Sequence, residues 1–152
     1  MYSVFEIANW FLEKEPMTHK KLQKLCYYTQ AWSYALRNKP IMDSDFQAWT
    51  HGPVSPILFQ KYKGTAFEEL LPDKGCIKPN FTNEELEFLD NIWETYGDST
   101  GNSLEVLTHR ELPWIKARIG HETYDKCEIA IAPKDMIDYY RSIYDGNLEV
   151  EA

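Results

Sequence analysis

Apolar residues return every three to four positions along most of the chain, and this spacing predicts helices rather than strands. Ser3 with Glu6 three residues on has the form of a capping box. Behind it Val4, Ile7, Ala8, Phe11 and Leu12 share one helical face, and Pro16 ends this first helix. Thr18 is the next N-cap candidate, and no Gly or Pro occurs from there to Asn38. Leu22, Leu25, Cys26, Thr29, Ser33 and Leu36 form a stripe that Tyr28, Ala31, Trp32 and Ala35 widen. Lys20, Gln23, Tyr27, Gln30, Tyr34 and Arg37 are left as its polar side. A helix apolar over so wide an arc is central to its domain, and at 1.5 Å per residue it runs about 30 Å.

Lys39-Pro40 breaks this pattern, and Ile41 to Trp49 reads as a short strand or a turn-rich loop. His51-Gly52-Pro53-Val54-Ser55-Pro56 reads as a rigid loop. Gly52 permits a left-handed backbone and the prolines fix φ; Ser55 then caps a helix with Pro56 at its first position. Phe67, Leu70 and Leu71 suggest one or two helical turns within 64–80, the expected mobile stretch. Thr82 with Glu85 is a second capping box, opening a helix that Gly97 closes. Asn102 with Glu105 opens a shorter helix ending near His109, and Pro113 starts a further turn closed by Gly120. Glu128 to Ala132 is either extended or linker. Pro133 opens a last helix with Met136, Ile137, Tyr140, Ile143 and Tyr144 on its buried side; Gly146 stops it and leaves a frayed tail over 146–152. No repeat or linker divides the chain. The expected fold is mainly α: one compact domain over residues 1–152 around a long central helix, with at most a short β element.

The length of 152 residues suits such a domain. Charge adds a restriction. With 24 Asp+Glu against 16 Lys+Arg the net charge is −8, which disfavours unaided binding to nucleic acid or an acidic membrane. The one local basic cluster, His19, Lys20, Lys21 and Lys24, reads as a solvated helix end or as a docking patch for an acidic partner. No secretory leader and no stretch of about 18 apolar residues is present, so the expected compartment is the cytoplasm. Cys26, Cys76 and Cys127 are too few and too far apart for a disulfide framework, and no metal or cofactor is expected.

Catalytic motifs are missing. There is no phosphate-binding glycine loop, and His121-Glu122 lacks the second His of a zinc-protease helix. Cys26 and His51 could form a nucleophile dyad on paper, but Cys26 lies on the apolar stripe of the central helix. Two constellations remain, Ala48-Trp49-Thr50-His51-Gly52-Pro53-Val54 and Leu107-Thr108-His109-Arg110-Glu111-Leu112-Pro113-Trp114. Each sets a His near a Trp in a Pro-bearing break between helices. His51 and His109 could make an acid–base pair, or each could pin its loop while its Trp packs inward.

These segments carry a resemblance. Lys21-Leu22-Gln23-Lys24-Leu25-Cys26-Tyr27-Tyr28 followed by Gln30-Ala31-Trp32 is similar to the central-helix signature of the Panacea-domain, SocA-like antitoxins, also called phage-associated proteins. Phe46-Gln47-Ala48-Trp49 followed by His51-Gly52-Pro53-Val54 resembles the family's most specific motif, and Leu107-Thr108-His109 with Pro113-Trp114 its C-terminal one. The resemblance implies a helical, non-enzymatic domain that neutralises a neighbouring-gene toxin by direct contact. One branch of the family instead delivers the toxin to an ATP-dependent protease, and a phage or mobile-element accessory protein with another host target is a further alternative. The helical pattern starts at residue 3, so no appended DNA-binding segment is expected and autonomous nucleic-acid binding is not.

Under that resemblance Trp49, His51, Gly52, Pro53, Val54, His109, Pro113 and Trp114 are family-motif residues, either structural or partner-binding. The polar side of the central helix (Gln23, Tyr27, Gln30 and Tyr34) and residues 63–80 are the expected toxin-binding surface. The −8 charge then suggests a toxin with a basic surface.

Overall fold

The computed structural model describes residues 1–151, with side chains described through 145. Helix α1 (Val4–Leu12) opens on the capping box: Glu6 N–H donates to Ser3 Oγ and Ser3 N–H to the Glu6 carboxylate. A two-residue strand β1 (Met17–Thr18) leads into α2 (His19–Trp32), capped by Thr18 Oγ1 accepting from Lys21 N–H. The helix widens into a π-helical turn over Ser33–Arg37 and closes on Asn38, which is left-handed at φ 58°. Inside that turn Ser33 Oγ donates to Lys39 O at 2.7 Å and accepts from Arg37 at 3.0 Å, which fixes the exit. Helices α3 (Pro56–Tyr62), α4 (Asn83–Tyr96), α5 (Gly101–His109), α6 (Leu112–Ala117) and α7 (Pro133–Glu151) complete the helical set. α2 packs against α1, α3, α4, α5 and α7, which makes it the centre of the fold.

The β content is small. Strand β2 (Gln47–Trp49) pairs antiparallel with β3 (Gly52–Val54), with Ala48 opposite Pro53 and Trp49 opposite Gly52. The motif read as a rigid loop is therefore a tight hairpin. The extended reading of 128–132 is the correct one: Ala48 N–H donates to Ile129 O at 2.9 Å and Ile131 N–H to Phe46 O at 2.7 Å. These bonds cover the second edge of β2.

Four local expectations are corrected. Residues 67–71 are not helical; β4 (Glu69–Leu70) pairs antiparallel with β1. The reason is that only Leu70 goes inward, while Phe67 is 98% and Leu71 66% exposed, so no common apolar face exists to hold a helix. The cap of α5 is Thr100, whose Oγ1 accepts from Ser103 N–H, two residues before the expected Asn102. α7 continues through Gly146 to Glu151. A mid-helix glycine costs only about 1 kcal/mol relative to Ala, which does not by itself end a helix. Tyr144, expected on its buried side, is 47% exposed. The frayed tail expected over 146–152 lies outside the residues whose side chains are described.

The polar side of α2 is the largest correction. Gln23, Tyr27 and Gln30 are 2%, 1% and 2% exposed, and Tyr34 is half-buried, so they do not form the open polar face expected. They are buried because the loops wrapped over α2 bring polar backbone that needs partners. Gln30 donates to Met42 O at 2.8 Å and Ser44 O at 3.2 Å, and accepts from Ile41 N–H and Met42 N–H. Gln23 accepts from Ser55 N–H at 2.9 Å and donates to Ser55 O at 3.3 Å, tying the end of β3 to α2.

Tyr27 joins a buried network instead. Its hydroxyl lies 3.0 Å from that of Tyr140, and the Tyr28 and Tyr140 hydroxyls both donate to Glu111, at 2.7 and 2.8 Å. Burial raises the Glu111 carboxyl above its ordinary range, while the two phenols oppose the rise. This network fastens α2, the start of α6 and α7 to one another.

Candidate functional site

The two His–Trp motifs meet at the hairpin. Trp114 Nε1 donates to Trp49 O at 2.9 Å, so α6 is hung from the end of β2. His109 stacks on Trp114 with ring centroids 4.0 Å apart and planes at 16°. Its Nε2 is buried without a partner among the described residues, and burial lowers the ring's pKa. His51 stays exposed at the hairpin turn, with Nδ1 3.2 Å from Glu105 Oε2. No hydrogen bond joins His51 to His109, and none joins His51 to Cys26, which is fully buried with its thiol raised by that burial. Pro53, Val54 and Pro113 are buried, the first two in β3 and the last at the first turn of α6. The motif residues thus form one structural joint, with His51 at its open edge. His51→Ala is expected to shift stability by less than about 0.5 kcal/mol in a urea unfolding curve, since the ring is exposed and its pair with Glu105 is a surface one.

Two cations in this joint were not legible as site residues. Arg118 is 5% exposed and has no carboxylate partner among the described residues. Its guanidinium donates to Ala48 O at 2.7 Å, Asp125 O at 2.6 Å and Glu122 O at 3.0 Å, and lies over the Trp114 ring at 5.0 Å. It gathers β2, α6 and the turn at 122–125 around one group, as a planar fork of donors can. Its spacing of four from Trp114 was the signal available.

The second cation is Lys24. By sequence it belongs to the basic cluster at the start of α2, a solvated helix end or a docking patch, yet it is 1% exposed. Four-residue spacing to Tyr28 places it on the inward side of α2. Its Nζ donates to Pro53 O at 3.3 Å. Gly52 has φ 108°, and a Cβ there would lie 2.5 Å from Lys24 Cε and 3.0 Å from Thr108 Oγ1. The glycine therefore serves two needs at once: the left-handed turn of the hairpin and passage for the lysine stem. Burial lowers the Lys24 pKa to about 7; Glu105 opposes the fall and Lys20 adds to it.

Lys24 lines the floor of a groove of about 900 Å³ between α2, the hairpin, α3 and residues 126–128. Trp49, Val54, Pro56 and Phe59 form apolar walls, with Trp49 edge-on to Phe59 at 4.9 Å. His19 stacks against Phe59 at 5.5 Å, and burial with the nearby Lys24 pushes its pKa down to about 4. Glu105 sits beside the floor and takes Lys20 Nζ at 2.7 Å. Burial raises its carboxyl, but the hydrogen bonds from Lys20 and His51 outweigh this and hold it below its ordinary range. Among the described residues no three His, Cys, Asp or Glu side chains group as metal ligands, and no helix is long and apolar enough to cross a membrane.

The family model described as "Antitoxin SocA-like, Panacea domain" matches residues 22–115. The chain belongs to this antitoxin family. The Panacea match runs from Leu22 in α2 to Ile115 in α6, so it takes in Lys24, the hairpin and the His109–Trp114 stack. A relative, Antitoxin SocA of Caulobacter vibrioides, is 22% identical over 151 residues, covering 89% of this chain and 80% of that protein. No solved structure matches the chain. Within the Panacea segment the motif residues do the work of a joint: Trp49 supplies the carbonyl that holds Trp114, and Gly52 makes room for Lys24.

Proposed function

We propose that this protein is an antitoxin that neutralises a toxin encoded by a neighbouring gene, acting in the cytoplasm by direct protein–protein contact. The observation that carries this reading is the Panacea-domain match over residues 22–115, together with the similarity to Antitoxin SocA along 89% of the chain. The rigid joint of α2, the hairpin and α6 supports it, because a neutralising surface has to be held in shape before its partner arrives. An open groove with aromatic walls is the kind of surface in which a partner's anchor residues seat. No autonomous nucleic-acid binding is part of the proposal, in keeping with the net charge of −8.

The test is co-expression with the product of the adjacent gene. The expected result is restored growth and a complex that survives size-exclusion chromatography. Toxicity that persists, with the two proteins eluting apart, would overturn the proposal. Rescue that requires an ATP-dependent protease and leaves no stable complex would replace occlusion with delivery to degradation.

A further inference from the structure

Lys24 is a cost that the fold does not need. A buried ammonium is expensive to desolvate, and a Met or Leu would fill its place. The chain also requires Gly52 to clear the lysine stem. Among the described residues the hydrogen-bond partner of Lys24 is the Pro53 carbonyl alone, although an ammonium carries three donors. The neighbouring lysines differ. Lys20 is paired with Glu105 at 2.7 Å, and Lys126 on the opposite wall with Glu128 at 3.0 Å. Lys24 lines the groove with no carboxylate in salt-bridge range among the described residues.

The charge of the groove is opposite to that of the molecule. Lys20, Lys24 and Lys126 line it against Glu128 as the lining carboxylate among the described residues, with Glu105 beside Lys20 and His51. Its long walls are apolar, through Trp49, Val54, Pro56 and Phe59. A ligand that fits both surfaces carries a carboxylate close to an aromatic or aliphatic side chain. The volume of about 900 Å³ lies at the upper end of the usual range for small molecules and accommodates several residues of chain. A polyanion such as nucleic acid would meet the field of a protein with net charge −8, whereas a segment with one or two carboxylates meets mainly the groove.

We infer that the groove receives an acidic peptide segment of the partner toxin, with a carboxylate on the side lined by Lys20, Lys24 and Lys126 and an apolar side chain against the paired rings of Trp49 and Phe59. This rests on the antitoxin reading only for which protein owns the segment. The buried cation and the apolar walls then divide the labour: the walls supply contact area, and the lysine selects for a carboxylate whose absence would leave it unpaired.

The experiment has two arms. In the first, binding of the adjacent-gene product is measured for the wild type, Lys24→Met and Lys126→Glu, with thermal unfolding as the control for folding. A loss of at least tenfold in affinity is expected for each variant. Wild-type affinity in both, with the wild-type complex present, overturns the groove assignment and leaves the antitoxin reading standing.

In the second arm a random seven-residue peptide library is selected on the wild type and again on Lys24→Met. The expected outcome is enrichment of Asp or Glu next to an aromatic or aliphatic residue, lost in the variant. Selection of peptides without a carboxylate, no enrichment at all, or displacement of the selected peptides by single-stranded DNA overturns the inference. This arm reads the groove even if the adjacent-gene product forms no complex, an outcome that counts against the antitoxin reading instead.

Discussion

Gly52→Ala is expected to destabilise the protein by about 2–4 kcal/mol, read as a fall in the urea midpoint with an unchanged slope. Two effects add at this position. The backbone φ of 108° is strained for any residue with a Cβ. The new methyl would also lie 2.5 Å from Lys24 Cε, in a place where the lysine stem is walled in by β3 and α5. A double-mutant cycle separates them. In a Lys24→Ala background the contact with the lysine stem is gone and the backbone cost and the Thr108 contact remain, so Gly52→Ala should cost about 1–2 kcal/mol less there than in the wild type. Strict additivity would show that the contact carries no energy and that the glycine is present for the turn alone.

Lys24→Met should stabilise the protein by about 1–4 kcal/mol at pH 6.5, and the gain should shrink as the pH rises. The folded-state pKa of about 7 lies below the ordinary 10.5, so folding releases a proton between those values. Stability contributed by this group is therefore present above pH 10.5, is lost as the pH falls towards 7, and stays lost below. The wild type should close the gap on the variant between pH 7 and 10, with a limiting slope of about 1.4 kcal/mol per pH unit. The other groups around the ammonium are Lys20 and His19 on α2 and Glu105 and His109 on α5. His19 titrates near pH 4, below this window. The phenols of Tyr27, Tyr28 and Tyr140, raised by burial, are common to both proteins and cancel in the difference. Urea unfolding at pH 6.5, 8 and 9.5 gives the three points required. A gap that does not change with pH would assign the stabilisation to packing instead of charge.

The sequence was most readable where one short-range rule acts alone. Ser3 with Glu6 and Thr82 with Glu85 are both capping boxes, and Pro56 follows its cap Ser55 at the first turn of α3. The width of the apolar stripe on α2 correctly marked the central helix. Reading failed where a residue's role is decided by what another part of the chain brings to it. Gln23 and Gln30 look like a water-facing side by helical position, and they become interior because Ser55 and residues 41–44 bring backbone groups that need partners. Lys24 and Arg118 look like surface charges, and no periodicity reveals that carbonyls of β2 and β3 await them. The strand pairing of β1 with β4 joins residues about fifty apart through two backbone positions each, too little chain to leave a pattern. The hairpin motif lay between these cases: its glycine and prolines were plain, while the lysine passing beneath Gly52 was not.

The covering of β2 on both sides has a consequence for the order of synthesis. One flank is supplied at once by the hairpin, but the other comes from Ile129 and Ile131, and the far wall of the groove from residues 126–128. A nascent chain that has emerged only through α6 already holds the hairpin, yet shows its outer strand edge bare and its groove open on one side. Bare edges invite pairing with other chains. A product clipped or stalled before residue 126 would thus be sticky and, under the acidic-segment proposal, blind to its partner. Capture competence thus waits on residues 126–131.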